Sequence, residues 1–220
     1  MKFGFPVIFR HGSIVNGITI AGNLSFDFVD IIIDTPTWLD EDTGKILEAL
    51  EEYSLEAGVQ SPWETIYLYS PWEGVRKGSH DTILSVASFA SRIKSEYFNI
   101  HIQTDLGSFE EENVTSSRIA KTLKEMGKEI KRVGKITVEN CNNGIFSNLG
   151  TYAKVMDNSS LFSCMDIGHV LESNQGKMEA LVDWVSRLND EICTAHLSVA
   201  RIREKNGLVT ISQQSKNWAS

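Results

Sequence analysis

The sequence predicts an α/β protein and, within that class, a short (β/α)8 barrel. Three observations lead there. Short apolar runs alternate with longer amphipathic ones along the 220 residues. Several short runs are nearly continuous in Ile, Val and Phe, as strands read when both faces of a parallel sheet are covered. The strand candidates number eight, and alternating strand and helix imply right-handed crossovers. Such barrels usually need about 250 residues. The shortfall lies at the C-terminus, where "VARIREKNG" leaves no room for a full helix between strands seven and eight. The barrel is therefore expected to be incomplete at its last β/α units. A doubly wound open sheet is the alternative, weakened by the lack of a GxGxxG or GxxxxGK[ST] phosphate loop. With no internal repeat or low-complexity linker, residues 1–220 read as a single domain.

The strand candidates are "KFGFPVIF" (2–9), "FVDIIID" (28–34), "EAGVQSP" (56–62), "NIHIQTD" (99–105), "KITVEN" (135–140), "LFSCMDIG" (161–168), "ICTAHLS" (192–198) and "LVTIS" (208–212). Helical spacing appears between them. Ile46, Leu47, Leu50 and Leu55 follow Asp40 and Asp42, either of which suits an N-cap. Ile83, Leu84, Ala87, Ala90 and Ile93 form a stripe after Ser79. Ile119, Leu123, Met126, Ile130 and Val133 form another, with Gly134 expected as its C-cap. Leu181, Val185 and Leu188 form the last. Each stripe reads first as core packing.

Composition narrows the function classes. Hydrophobic residues make up 41% and charged residues 23%, with a net charge of -8. An acidic chain is a poor general binder of phosphate backbones, so a nucleic-acid partner is not expected. Three cysteines with no CxxC spacing suit a reducing, cytoplasmic setting. Neither a signal peptide nor an apolar run near the roughly 18 residues of a membrane span is evident.

In a barrel the chemistry sits at the C-terminal ends of the strands. Strand five places Thr137 and Glu139 on one face. Strand six places Phe162, Cys164 and Asp166 together, and strand seven Ile192, Thr194 and His196. Three consecutive strands thus end in Glu139, Asp166 and His196. Two acids and an imidazole suit a divalent ion such as Mn²⁺, Zn²⁺, Mg²⁺ or Co²⁺. Without a cation, burying both acids would force one to hold a proton. Beyond strand three, Trp63, Tyr67, Tyr69 and Trp72 either stack on a ligand or pack; Arg201 and Arg203, after strand seven, suit a phosphate or carboxylate.

The stretches "TVENCNNG", "CMDIGHV" and "AHLSV" resemble the strand-end motifs of the xylose-isomerase-like TIM barrels, a superfamily of sugar isomerases and epimerases together with the apurinic/apyrimidinic endonucleases of family 2. "FDFVDIIID" and "GVQSPWETIYLYSPWEGVRKGSHDTILSVASFA" are similar to its second- and third-strand segments, so the resemblance covers about residues 1–200. It implies that Glu139, Asp166 and His196 are metal ligands and that His169 lies beside the metal, contacting substrate or, in the nuclease branch, a further metal. It also implies that Glu139 serves both metal binding and proton transfer next to a carbonyl. Gly168 would let the chain turn after the strand. Where the nuclease branch has histidines at the ends of strands three and four, this chain has Gln60 and Gln103, which argues against a three-metal abasic-site nuclease and leaves them as substrate contacts. The acidic ligand of the family's final strand is missing from "LVTISQQ".

The expectation is thus a metal-dependent sugar or sugar-phosphate isomerase or epimerase, with Glu139 and His169 catalytic. His169, Trp63, Gln60, Gln103 and Arg201 would bind the substrate. The alternatives are an AP-endonuclease-like phosphodiesterase relative and a non-catalytic ligand-binding barrel. A homodimer is left open.

Overall fold

The structure is a computed structural model that describes residues 1–102, 112–198, 200–205 and 208–213. The chain forms two compact units. Unit 1 comprises Met1–Ile102 and Glu125–Thr137; unit 2 comprises Gln103–Lys124 and Val138–Ser220.

Unit 1 holds β1 (Gly4–Val7), α1 (Ile14–Asn23), β2 (Phe28–Ile32), α2 (Thr43–Glu52), β3 (Glu56–Gln60), α3 (Glu73–Arg92) and β4 (Tyr97–Ile100). It also takes in the end of α4 (Glu112–Glu129) and the start of β5 (Lys135–Glu139). The remainder of α4 and β5 opens unit 2, which continues with α5 (Leu149–Ser159), β6 (Phe162–Asp166), α6 (Ile167–Ser173), α7 (Met178–Leu188), β7 (Ile192–His196), β8 (Ala200–Lys205) and β9 (Leu208–Gln213). Strands β1 to β7 form a seven-stranded sheet in chain order. The pairings β1–β2, β2–β3, β3–β4 and β6–β7 are parallel, as crossover connections require.

The shortened end takes a definite form. The predicted eighth strand exists as β9, but it pairs antiparallel with β8 in a separate two-stranded sheet. "ARIREK", too short for a crossover helix, becomes the partner strand of a hairpin. Both the TIM-barrel class and its incomplete last unit are therefore as expected.

The core of unit 1 is built from Val7, Val29, Ile31, Val59, Phe98 and Ile100 on the strands, with Ile18, Ile46, Ile83 and Phe89 on the helices. All are buried, and burying each such side chain contributes about 1.5–3 kcal/mol. Two polar pairs lie within this core. Gln60 Nε2 donates to Asp30 Oδ2. Thr137 Oγ1 donates to Asn99 Oδ1 at 2.9 Å.

Unit 2 packs around Tyr152 of α5, which is fully buried. Its ring meets Phe146 edge-on and lies beside Trp184 of α7, both at 5.3 Å between centroids. Its hydroxyl lies 2.6 Å from Val138 O, to which it donates, and 2.8 Å from Ser163 Oγ, so one side chain ties β5 to β6. Burial pushes the Tyr152 phenol well above its ordinary value, with the Ser163 bond opposing, so it remains a donor.

One expected cap holds and another reads differently in space. Asp42 does cap α2, accepting from Gly44 N–H at 2.9 Å. Gly134, expected as a C-cap, lies beyond the end of α4 at Glu129. A Cβ there would stand 1.9 Å from Glu96 O, so glycine is required by the close approach of two backbones. Ser79 lies inside α3, which begins at Glu73, and its hydroxyl accepts from Tyr67 N–H at 2.9 Å. No helix among the described residues is long and apolar enough to cross a membrane.

Candidate metal centre

Glu139 ends β5, Asp166 ends β6 and His196 ends β7, and all three belong to unit 2. Asp166 and His196 are register partners, which puts the ends of β6 and β7 side by side. Asn140 fixes the adjoining end of β5. Its Oδ1 accepts from Asp166 N–H at 2.7 Å and its Nδ2 donates to Asp166 O at 3.1 Å. A fully buried amide thus acts as one more rung between the strands.

Asp166 is also the N-cap of α6, and its Oδ1 accepts from His169 N–H at 2.8 Å. The same oxygen accepts from Ser198 Oγ at 2.6 Å. Gly168 makes that contact possible, since a Cβ there would lie 2.0 Å from Ser198 Oγ. Gly168 is therefore not a turn residue, as expected from the sequence, but lies inside α6. His169 sits one helical turn from its cap, and its Nδ1 is 2.8 Å from Asn140 O. A carbonyl only accepts, so Nδ1 carries the proton in the neutral ring and Nε2 the lone pair. Nδ1 also lies 3.9 Å from both Glu139 Oε1 and Asp166 Oδ2.

His196 turns its two nitrogens to different partners. Nδ1 is 3.1 Å from Glu139 Oε1, and Nε2 is 3.5 Å from Cys164 Sγ. Two groups result, Glu139–Cys164–His196 and Glu139–Asp166–His169, each with one donor atom per residue all within 4.8 Å of one another. Glu139 belongs to both. The carboxylates are 3% and 4% exposed, depths at which acids need compensation. These donor sets fit a divalent cation, which would supply it.

Among the described residues, the structure groups Glu139 with His196 in one set and with Asp166 and His169 in the other; the expected trio of Glu139, Asp166 and His196 does not form a single set. The sequence reading did not single out Asn140, Cys164 or Ser198, although "VEN", "SCMD" and "AHLS" contain them. Gln60 and Trp63 belong to unit 1. Gln60 ends β3, buried against Asp30. Trp63 is 46% exposed, with its ring edge-on to His101 at 6.2 Å. Of the other aromatics, Tyr69 is buried and Trp72 exposed. Gln103 lies outside the described residues, and Arg201 falls on β8, where only the backbone is described.

The chain belongs to the xylose isomerase-like TIM barrel family, whose model matches residues 18–214. No curated protein sequence matches it. Solved structures do. A D-tagatose 3-epimerase-like protein aligns at 19% identity with a TM-score of 0.72, covering 94% of this chain and 78% of that one. D-allulose 3-epimerase from Methylomonas sp., solved with D-allulose, aligns at 12% identity and a TM-score of 0.73, covering 89% and 71%. Endonuclease IV from Thermus thermophilus aligns at 15% identity and a TM-score of 0.67, covering 90% and 76%. At these identities the likeness is one of fold.

Proposed function

We propose that the protein is a metal-dependent isomerase or epimerase of a sugar or sugar phosphate, acting by proton transfer at a carbon next to a carbonyl. The observation that carries this reading is the meeting of donor atoms where β5, β6 and β7 end, with Glu139 in reach of His196 in one set and of the buried Asp166 and His169 in the other. The sugar epimerases among its structural neighbours support it.

Glu139, Asp166 and His196 would hold the ion, which when bound polarises a substrate oxygen and so acidifies the neighbouring C–H. The chain's own residues do the rest. The Glu139 carboxylate takes the proton and, in an isomerisation, returns it to the neighbouring carbon, and its burial keeps competing water away. His196 Nδ1 lies 3.1 Å from that carboxylate. His169 is locked by Asn140 O and so presents a fixed imidazole to the substrate. Asp166 is held by Ser198 and by the start of α6, leaving its second oxygen to the site. The three thiols suit a reducing, cytoplasmic setting, and the net charge of -8 argues against a nucleic-acid substrate.

The test joins metal analysis of the purified protein with solvent-deuterium incorporation into a panel of ketoses and aldoses. A bound divalent metal and exchange into one sugar are expected, with Glu139→Gln lowering exchange by about 10²–10⁴-fold. A protein that retains no divalent metal and exchanges no sugar would overturn the reading. Cleavage of abasic-site DNA is expected to be absent.

A further inference from the structure

Cys164 lies two residues before Asp166 on β6, one layer deeper on the same face, and is fully buried. A buried cysteine is ordinarily a small apolar filler. Here, however, the atom next to its sulfur is a ring nitrogen, His196 Nε2 at 3.5 Å, and the far side of that ring meets the Glu139 carboxylate at 3.1 Å. The backbone helps to aim it: the β6–β7 register shifts between Ser163 and Cys164, and such irregularities redirect side chains. Meanwhile Asp166 Oδ1 is taken up by Ser198 and by the amide of His169. The donor set that includes His196 contains sulfur, with one atom from each of Glu139, Cys164 and His196 within 4.8 Å of the others.

We propose that Cys164 is a thiolate ligand at this centre, and that its sulfur makes the site prefer Zn²⁺ or Co²⁺ to Mn²⁺ or Mg²⁺. The inference rests on the metal-dependent reading above. Forming the sulfur–metal bond releases the thiol proton to solvent, with no change of oxidation state. The preference follows from donor softness: thiolate and imidazole favour Zn²⁺, whereas Mg²⁺ and Mn²⁺ suit sites built from oxygen.

The test uses the full-length protein, stripped by a chelator and titrated with Co²⁺. A thiolate-to-cobalt charge-transfer band in the near ultraviolet is expected beside the weaker ligand-field bands. Cys164→Ser is expected to lose the band and to lower the preference for Zn²⁺ over Mn²⁺ in competition by about tenfold or more. Cys164→Ala, checked for native circular dichroism, repeats the measurement should serine not be tolerated in the buried site. The band in the unsubstituted protein needs no variant at all. Ligand-field bands without charge transfer, or an unchanged metal preference in both variants, would overturn the role of Cys164 and leave the metal-dependent reading standing. Failure to bind any divalent ion would overturn both.

Discussion

Ser198 and Gly168 form one device: the hydroxyl reaches Asp166 only because position 168 has no side chain. Gly168→Ala puts a methyl group 2.0 Å from Ser198 Oγ and 3.1 Å from Ser198 Cβ. A destabilisation of about 1–3 kcal/mol is expected from that overpacking. Ser198→Ala removes the nearest clashing atom, so the double variant is expected to be more stable than the two single effects summed. Urea denaturation of the four proteins checks this, and strict additivity would refute the coupling. The same stretch marks a limit of the sequence reading. "SCMDIGHV" shows the acid at the strand's end, but on a straight strand the i+3 offset of His169 points it away. A helix beginning at Ile167 turns that offset into a shared face, because residues three apart on a helix are neighbours. The part of Cys164 was hidden for another reason: it depends on the ring of His196 leaning back one layer, a rotamer choice that residue order does not encode.

Helix exits repeat a single conformation. Ser25, Ser54, Lys94, Arg132, Ser160 and Gln175 follow the ends of α1 to α6 in turn, each left-handed with φ between 54° and 61°. None is glycine, although an L-residue in that region costs roughly 1–2 kcal/mol. Lys94 is exposed, so its replacement tests the backbone alone. Lys94→Gly is expected to stabilise the protein by up to about 1 kcal/mol, since relief of strain outweighs the added freedom of the unfolded chain. A fall in melting temperature would contradict this. The seven strands of the sheet were legible because buried parallel strands are apolar throughout. Helices α1, α5 and α6 were not. "IVNGITIAGN" is rich in β-branched residues and glycine and so hides a helical stripe of Ile14, Ile18 and Ala21, capped by Ser13 Oγ accepting from Asn16 N–H at 3.1 Å. There packing against the sheet overrides propensity.

At the scale of the molecule, the boundary between the two units runs through single elements. Lys135–Thr137 of β5 belong to unit 1 and the rest of the strand to unit 2, and α4 is divided likewise after Lys124. A strand or helix cannot melt by halves without losing its ladder, so we expect the chain to behave as one cooperative domain. Scanning calorimetry should give one transition with equal calorimetric and van't Hoff enthalpies, whereas two resolved transitions would overturn this.

The order of the sheet has a kinetic consequence as well. Strands β1 to β7 lie in the order of the chain, and β8 and β9 form a hairpin. Each new strand therefore meets a neighbour already synthesised, and its pairing closes a loop of only one β/α unit. Contacts of short sequence separation form fast. A nascent chain can add strands in turn as it leaves the ribosome, with each edge covered by the next unit to emerge.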